Sequence, residues 1–350
     1  MTPPTLPQTT GIVTVGVDTH RDAHVAAALD GRGGLIATES FPTTAQGHRL
    51  LESWAVSFGE TGVFGIEGTS AYGAGLTRHL IAQGHRVVEV DRPNRQIRHR
   101  RGKSDAIDAE AAARAVLAGT ATGAPKHTDG AVEAIRVLRV ARRSAMKART
   151  EAIVQLRSLI ITAPDDVRGS LHGLRLRVLL ATCARLRPGA PTTARDATRW
   201  VLRSLAQRCH LLDTEIETLN AHLEPLVRSA CPELLAVHGV GVEIAGQLLV
   251  TAGDNPERLR SEACFAKLCG VAPIPASSGQ THRFRLNRGG DRQANAALYR
   301  IVLVRMRWDP RTVAYVQRRT TDGRSKREII RCLKRYVARE VFPLLQNCSA

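Results

Sequence analysis

Residues 11–42 have the sequence GIVTVGVDTHRDAHVAAALDGRGGLIATESFP, and the order of apolar and turn residues in this stretch decides the fold that we predict. A β-branched run over 11–20 ends in an acid, and two further runs, AHVAAALD and GGLIATESFP, are split by the turn DGRGG. Short apolar runs bounded by turn residues are typical of β-strands. The stretch therefore predicts three consecutive antiparallel strands.

The sequence that follows alternates helix and strand patterns. TTAQGHRLLESWAVSFG predicts a helix opened by a threonine cap, GVFGIEGTS a short buried strand, YGAGLTRHLIAQG a second helix and HRVVEVD another strand. An Ala-rich helix is predicted from Ser104 to Leu117, with Ser104 as its N-cap. The order β-β-β-α-β-α-β-α predicts an α/β domain with a mixed sheet, as in ribonuclease-H-like folds.

A Gly/Pro-rich linker over 121–130 leads into a helical middle. Residues 132–162 are rich in Ala, Arg and Leu, and a second helix is predicted over 194–230. Apolar residues recur in this second helix every seven positions, which is typical of a coiled coil or of a long helix packed within its own chain. The two rows are Leu202, Cys209, Ile216 and Leu223, and Leu205, Leu212, Leu219 and Leu226. Both interpretations predict a helical arm, and the first predicts a dimer contact.

The last part of the chain begins near Pro232. A Gly-Val-Gly turn in ELLAVHGVGVEIAGQLLVTAG resembles a helix-hairpin-helix, whose amides can bind phosphate, although a plain helical hairpin gives the same pattern. A long loop rich in Pro, Gly and Ser follows, and the tail from Ala294 onward is predicted to be helical and basic. We therefore predict an α/β domain over 1–122, a helical coiled-coil arm over 123–230 and a mainly helical C-terminal domain over 231–350.

The charge of the chain predicts a polyanionic partner. Its 350 residues include 50 Lys and Arg against 32 Asp and Glu, which gives a net charge of +18. Nucleic acid fits this surplus because cationic side chains that neutralise phosphates release condensed counterions. A membrane surface fits less well because the charge is spread over many segments instead of one amphipathic anchor. The aromatic content of 4% argues against broad base-stacking platforms.

Targeting signals and paired cysteines are not recognisable in the sequence. The first residues, MTPPTLPQTT, lack a basic region and an apolar core, and no apolar run is long enough to span a bilayer. The seven cysteines are scattered without a C-x-x-C pair, so we expect reduced thiols and no zinc site. These features predict a cytoplasmic protein without membrane contact.

Four acids stand where the predicted elements begin or end. Asp18 and Glu67 end two strands, and Asp105 and Asp108 share one face of the first turn of a helix. Taken singly, each acid is also explained as a turn residue or as a complement to the helix dipole. Taken together they predict a site for Mg²⁺ or Mn²⁺, since converging carboxylates repel one another unless a cation lies among them. A pair of such ions, about 3.5–4 Å apart, is a common device for phosphoryl transfer on nucleic acids.

The stretch RPNRQIRHRRGK, directly before this helix, is one of the most basic in the chain. It predicts contact with a nucleic-acid backbone beside the acids, with a solvated loop as the alternative. The cations of this basic strip are Arg92, Arg95, Arg98, Arg100, Arg101 and Lys103.

The motifs VGVDTH, IEGTSAY, GKSDAIDAE and GVAPIPASSGQ…NRGG, with the helical arm between them, resemble the DEDD transposases of the IS-one-ten insertion-sequence family. The resemblance covers nearly the whole chain. It implies an RNA-guided DNA recombinase with a RuvC-like N-terminal domain and a C-terminal transposase domain. It also implies that the catalytic, metal-binding acids are Asp18, Glu67, Asp105 and Asp108.

The same resemblance implies a serine nucleophile in the Pro-containing loop, where a serine precedes a glycine. Ser278 fills that position here, and the adjacent Ser277 is the alternative. A serine ester of phosphate conserves the phosphodiester energy, so strands can be exchanged without an external energy source. The loop cations expected to bind nucleic acid are Arg283, Arg285 and Arg288. The sequence has IEGTS where IEATG is commoner in the family, and LNRGGD where ISKRGD is commoner; the second departure affects which loop residues contact nucleic acid.

Partners and location follow from the same resemblance. It implies donor and target DNA, a structured guide RNA, and a homo-oligomer, a dimer or tetramer, in which the serine of one protomer meets the metal site of another. The expected location is the bacterial cytoplasm, in association with the nucleoid.

Two other functions fit parts of the sequence. A metal-dependent nuclease of the Holliday-junction type needs the four acids but uses water instead of Ser278 as the nucleophile. A non-catalytic nucleic-acid-binding protein needs the basic strip but tolerates loss of the acids. A covalent adduct between protein and DNA separates the first of these from a transposase.

Overall fold

The computed structural model describes residues 11–90, 104–280, 284–287 and 289–348. The chain divides into two compact units. The first comprises Met1–Gly130 and Ala252–Cys264, and the second comprises Ala131–Thr251 and Phe265–Ala350. A short segment from the later part of the chain thus belongs to the first unit.

A five-stranded mixed sheet forms the centre of the first unit. Its strands are β1 (Val13–Thr19), β2 (Ala23–Leu29), β3 (Leu35–Pro42), β4 (Thr61–Glu67) and β5 (Val87–Val90). The spatial order is β3-β2-β1-β4-β5. Strand β2 is antiparallel to its neighbours β1 and β3, whereas β4 is parallel to its neighbours β1 and β5. The predicted meander of three strands and the mixed sheet are confirmed, and the arrangement is consistent with a ribonuclease-H-like domain.

Three described helices alternate with the later strands. They are α1 (Ala45–Val56), α2 (Ala74–Ala82) and α3 (Asp105–Leu117). The predicted threonine cap is Thr44, whose hydroxyl accepts a 3.1 Å hydrogen bond from the amide of Gly47. Such a bond satisfies one of the free amides at the start of a helix. The order of these elements is the one that the sequence predicts.

One face of the sheet carries the main apolar core of the first unit. Because side chains alternate along a strand, Val15 and Val17 of β1 and Phe64 and Ile66 of β4 reach the same core. Leu51 of α1 and Leu76 and Leu80 of α2 belong to this core, and all seven side chains are fully buried. Burial of each such side chain contributes roughly 1.5–3 kcal/mol relative to exposure. This face therefore holds α1 and α2 on the sheet.

The opposite face is occupied by α3, which lies unusually close to the strands. A Cβ at Gly16 of β1 would overlap the carbonyl oxygen of Ala109 and the amide nitrogen of Ala113. A Cβ at Gly65 of β4 would lie 2.5 Å from Val116 Cγ2 and 3.2 Å from the carbonyl oxygen of Ala112. The glycines of the sheet and the alanines of α3 together permit this close approach.

Residues 252–264 join the first unit through the loop that the sequence identifies as a linker. The buried side chain of Asn255 accepts a 3.0 Å hydrogen bond from the amide of His127 and donates one of 3.0 Å to the carbonyl oxygen of Pro125. Arg258, in a short 3₁₀ helix over Pro256–Arg258, lies 3.8 Å from the carboxylate of Glu89 on β5. The loop is thus packed in the first unit.

Two long antiparallel helices form the arm of the second unit. They are α4 (Ala131–Ile161) and α7 (Ala194–Ala230), and two short helices, α5 (Asp165–Leu171) and α6 (Leu176–Ala184), lie between them in sequence. Arg149 of α4 forms an ion pair with Asp213 of α7, and the Nε atom of Arg142 donates a 2.6 Å hydrogen bond to Asn220. These contacts join the two helices as a hairpin within one chain, and the coiled-coil arm over 123–230 stays a prediction.

The two heptad rows of α7 differ in burial. The first row, which runs from Leu202 to Leu223, is buried in the second unit, and α7 packs mainly on α4. The second row, from Leu205 to Leu226, is half-buried. Packing within the chain therefore accounts for the first row, and a contact with another copy stays a prediction for the second.

The remaining elements of the second unit are mostly helical. They are α8 (Pro232–Ala236), α9 (Val242–Ala252), α10 (Glu262–Leu268), β6 (Ile274–Pro275), β7 (Phe284–Arg285), α11 (Arg292–Trp308), α12 (Pro310–Thr321) and α13 (Lys326–Asn347), of which α9 and α10 extend across the boundary between the units. The predicted turn between α8 and α9 contains Gly239 at φ +86°, a backbone conformation that favours glycine. The long loop after α10 contains the small hairpin of β6 and β7.

One expectation about the cysteines is wrong. Cys231 and Cys348 form a disulfide between the end of α7 and the end of α13, whereas the scattered cysteines of the sequence predict reduced thiols. The two residues are 117 positions apart, so no local spacing could indicate their pairing. No helix within the described ranges is long and apolar enough to cross a membrane.

Candidate functional site

The strand ends of the first unit place two of the predicted acids on one face of the sheet. Gly16 of β1 is paired with Gly65 of the parallel strand β4, and Asp18 and Glu67 each lie two residues further along. Side chains two positions apart on a strand share a face, so both acids are on the face that carries α3. The hydroxyl of Thr19 donates a 2.7 Å hydrogen bond to the carbonyl oxygen of Glu67 and ties the two strand ends together.

The start of α3 brings the other two predicted acids to this end of the sheet. Ser104 caps the helix, because its hydroxyl accepts a 3.3 Å hydrogen bond from the amide of Ile107. Asp105 and Asp108 lie in the first turn; Asp108 is 4% exposed, whereas the Asp105 side chain is 50% exposed. The close packing of α3 at Gly16 positions this turn beside Asp18.

His20, which is not among the site residues predicted from the sequence, lies between two of the acids. Its Nε2 atom lies 3.2 Å from Oδ2 of Asp18 and 3.3 Å from Oδ1 of Asp105. One ligand atom from each of these three residues lies within 4.8 Å of the others, a spacing that permits a shared metal ion. The DTH sequence did contain a signal, since a histidine two residues after a strand-end acid lies near the same face.

Electrostatics at this site favour a cation. Burial raises the pKa of Asp18 above its usual value, and the carboxylates of Asp108 and Asp105 raise it further, while His20 opposes the shift. A buried carboxylate near two others is stabilised when a divalent cation lies among them. Oxygen donors suit Mg²⁺ and Mn²⁺, and an imidazole nitrogen is accepted more readily by Mn²⁺ than by Mg²⁺. The donor set therefore fits the predicted metal.

The four acids are brought together to different degrees. Asp18 and Asp105 are linked directly through His20, and Asp108 is close enough for its charge to act on Asp18. Glu67 lies on the strand next to Asp18 and is half-buried, but it is not one of the three donors that lie within 4.8 Å.

The predicted nucleophile lies in the second unit, in the hairpin loop between β6 and β7. Ile274 pairs with Arg285 and Pro275 with Phe284, and Ser278 is exposed between these strands. Gly279 has φ +55°, so a glycine is favoured directly after this serine. Ser278 is therefore exposed to solvent, next to a glycine with positive φ.

Gly290 and Asp291, the end of the NRGGD motif, lie against the backbone at Leu268, where α10 ends and the loop begins. A Cβ at Gly290 would overlap the carbonyl oxygen of Leu268, so the backbone there tolerates only glycine without movement. Asp291 caps α11 by accepting hydrogen bonds of 2.7 Å and 3.1 Å from the amides of Gln293 and Ala294. These contacts explain the glycine and the acid of the motif as structural residues.

The predicted cationic contacts are mostly outside the described residues. Of the loop cations, Arg285 is exposed on β7. Those that lie outside the described ranges are Arg92, Arg95, Arg98, Arg100, Arg101, Lys103, Arg283 and Arg288.

Comparison with known families gives matches in both halves of the chain. The DEDD family of IS110-type transposases, described as "Transposase", matches residues 15–162. The family described as "Transposase IS116/IS110/IS902 family" matches residues 231–317. The first match contains all four predicted acids, and the second contains Ser278.

Two curated relatives come from insertion elements. The chain is 30% identical over 150 residues to a 43.6 kDa protein of insertion element IS110 from Streptomyces coelicolor. It is 28% identical over 150 residues to a 42 kDa protein of insertion element IS900 from Mycobacterium paratuberculosis. Each match covers 42% of this chain, and the matches cover 37% and 38% of the respective relatives.

Proposed function

Since the chain belongs to the family of IS110-type transposases, we propose that it cuts and rejoins DNA strands of an insertion element. The observation that carries this proposal is the convergence of Asp18, His20 and Asp105 at one end of the sheet, with Asp108 close by. Carboxylates that converge at one end of a sheet, here two buried and one exposed, are a common design for metal-assisted phosphoryl transfer.

The proposed metal ligands are Asp18, Glu67, Asp105 and Asp108, with His20 as an additional nitrogen donor. A divalent ion bound there supplies Lewis-acid stabilisation of the phosphate oxygens as negative charge develops. The Nε2 atom of His20 lies 3.2 Å from Asp18 and 3.3 Å from Asp105, and it would direct its lone pair to a bound ion instead of donating a hydrogen bond to either carboxylate. The hydrogen bond from Thr19 keeps the ends of β1 and β4 in register, so that Asp18 and Glu67 stay adjacent.

Ser278 is the proposed nucleophile. Its Oγ atom loses its proton and attacks the scissile phosphorus, so that a serine–phosphate ester forms and one P–O bond of the DNA backbone breaks. The departing DNA oxygen takes up one proton, which balances the proton lost by the serine. The exposed position of Ser278 on a hairpin turn supports this role, since the hydroxyl must reach a phosphate on a second molecule. Reversal of the step with a different hydroxyl rejoins the strands.

The proposed partners are donor DNA, target DNA and a structured guide RNA, and the proposed location is the bacterial nucleoid. The net charge of +18 supports polyanionic partners. We also propose the three-part division at residues 122 and 230 and a homo-oligomer in which a serine from one protomer serves the acids of another. The half-buried row of α7 from Leu205 to Leu226 supports such a contact.

A denaturing gel of the protein with labelled DNA and Mg²⁺ or Mn²⁺ tests the proposal. The wild type is expected to give a covalent protein–DNA band, Ser278→Ala is expected to give none, and Ser277→Ala serves as the matched control that keeps the band. A band that vanishes with Ser277→Ala instead would move the nucleophile one residue upstream. Cleavage without any band in any variant would favour the nuclease that uses water. Cleavage by neither route would favour the non-catalytic protein.

A further inference from the structure

A cavity of about 810 Å³ lies in the second unit at the base of the hairpin that carries Ser278. Its walls are the segment after α10 from Gly270 to Pro273, the strand β7 with the residues that follow it, the end of α12 and one side of α13. The proposed metal ligands and the proposed nucleophile lie outside the lining of this cavity, which shares only Arg285 with the predicted nucleic-acid contacts. Its size is in the range of pockets that enclose a small ligand, about 300–1,000 Å³.

The cavity is strongly cationic. Glu328 is the one carboxylate among the lining residues, and it is engaged by Ser325, whose amide and hydroxyl donate hydrogen bonds of 3.0 Å and 2.8 Å to it. Within the described part of the chain, Arg285 and Arg331 form no ion pair. The lining cations are Arg285, Arg319, Arg324, Arg331, Lys334 and Arg335. This surplus creates a positive potential that only an anionic ligand would neutralise.

The cavity also has an exposed aromatic wall. Phe284 of β7 is 68% exposed and lines the cavity beside its cations. Tyr336 of α13 lines the same cavity, and Tyr315 meets its ring edge-on with a centroid distance of 5.8 Å. An accessible ring among arginines matches the way in which unpaired bases stack while their phosphates are neutralised.

We infer that this cavity holds an unpaired nucleotide segment, with its phosphates on the cations of α13 and one base on Phe284. A duplex would offer only its phosphates, because its base faces are stacked on one another. Phe284 and Arg285 pair directly with Pro275 and Ile274, the strand that leads to Ser278. The segment in the cavity therefore adjoins the serine loop. The inference rests on the proposed function in one respect, that the polyanion is a nucleic acid.

Fluorescence anisotropy with the full-length protein tests this inference. The probes are a labelled single-stranded DNA of mixed sequence, the RNA of the same sequence, and the corresponding DNA duplex. Phe284→Leu keeps an apolar side chain at an exposed position but removes the ring, so folding is not at risk. We expect it to weaken single-strand binding roughly tenfold and to leave duplex binding unchanged. Trp308→Leu, at an exposed aromatic on α11 outside the cavity, is the matched control and is expected to change neither affinity.

The cations are tested by the salt dependence of the same measurement. Arg331→Gln removes one phosphate contact, so the slope of log K against log salt should become shallower by about 0.7 for a single strand. Arg208→Gln on α7, outside the cavity, controls for the loss of one positive charge. An equal change in both variants, or a Phe284→Leu protein that binds single strands as the wild type does, would overturn the inference.

The two proposals fail in distinguishable ways. Loss of DNA affinity alone in Phe284→Leu identifies a DNA strand in the cavity, and loss of RNA affinity alone identifies an RNA strand; either supports the site. If the wild type forms no covalent adduct but Phe284→Leu weakens single-strand binding, the proposed chemistry is wrong and the nucleotide site in the cavity is supported. If the wild type forms the adduct and Phe284→Leu binds single strands as well as the wild type does, only the nucleotide site in the cavity is wrong.

Discussion

The acid-bearing end of the first unit and the serine loop of the second unit position their proposed catalytic residues in opposite ways. Asp18 is 7% exposed and lies between a regular strand and a helix packed on glycine. Ser278 is exposed on a hairpin turn, and a Cβ at the adjacent Gly279 would meet no atom within 4 Å. The acids are therefore positioned by close packing and the serine by local turn geometry. Changes near the acids should affect the fold and the chemistry together, whereas changes in the serine loop should affect the chemistry alone.

The largest expected effect is on strand cleavage when an acid loses its charge. Asp108→Asn and Asp105→Asn should each lower the cleavage rate on the order of 10³-fold or more, as removal of one member of a group that acts as a unit does. Cleavage of a labelled substrate with Mg²⁺ or Mn²⁺ measures this, and Asp22→Asn, at an exposed acid between β1 and β2, is the control. A normal rate in either variant would remove the assignment of these acids as metal ligands.

For Asp18, we expect removal of the charge to act in opposite directions on cleavage and on the stability of the fold. The raised pKa of this buried acid means that the native state holds its proton to higher pH than the unfolded state. Stability contributed by this group is therefore present below the unfolded pKa and is lost as pH rises through the folded pKa. Asp18→Asn should keep or increase the protection of β1 amides from hydrogen exchange in the absence of metal, while abolishing cleavage.

The next effect concerns a buried histidine in the first unit. Burial, aided by the nearby charges of His48 and His20, lowers the pKa of His24 to about 4. Both ring nitrogens of His24 are buried and without a hydrogen-bond partner among the described residues. The neutral imidazole of His24 contributes fully to the free energy of unfolding above the unfolded pKa near 6.5. As pH falls toward 4, the free energy of unfolding should decrease by about 3 kcal/mol.

Hydrogen exchange of the β2 amides between pH 7 and pH 4 measures this loss. The method reports on the first unit alone, which matters because a chain of two units need not unfold in one step. His24→Leu should flatten the profile, whereas His210→Leu at an exposed position on α7 should not. A profile that stays steep in His24→Leu would assign the pH dependence to other groups.

A pair of glycine substitutions sharpens the contrast between packing and turn geometry. Gly16→Ala forces the backbone of α3 away from β1, so we expect a loss of about 1–3 kcal/mol together with weaker Mn²⁺ binding. Gly279→Ala has free space but a positive φ, so we expect a loss of about 1 kcal/mol or less and unchanged Mn²⁺ binding. Thermal unfolding and calorimetric titration with Mn²⁺ measure the two effects. Equal effects of both substitutions on metal binding would contradict the contrast.

The smallest expected effect on the protomer comes from the half-buried row of α7. Leu212→Asp with Leu219→Asp should leave the helical content nearly unchanged, because neither side chain is fully buried. Unpaired charge in an apolar contact is costly, so an oligomer held by this row should dissociate. Light scattering measures the mass, and Leu211→Asp at an exposed position on the same helix is the control. A well-folded double variant with the mass of the wild type would leave this row outside any contact between copies.

Much of the first unit could be predicted because its patterns are local. The alternation in β1 to β3, the threonine before α1 and the serine before α3 each specify their element within a few residues. The association of His20 with both Asp18 and Asp105 was not foreseen, because it depends on how deeply α3 packs on the sheet. That depth is set by two glycines and a run of alanines, whose small size becomes informative only when they face one another.

The amino-acid sequence by itself determined the order of strands and helices, the acids at the element ends and the surplus of positive charge. These features follow from side-chain period, caps and composition, which act over a few residues. Only the tertiary structure decided which distant groups meet. Asn255 binds the loop at Pro125 and His127 across about a third of the chain, and Cys231 reaches Cys348 over 117 positions. The physical reason is that contacts between remote segments depend on the summed packing of every element between them, which no local pattern encodes.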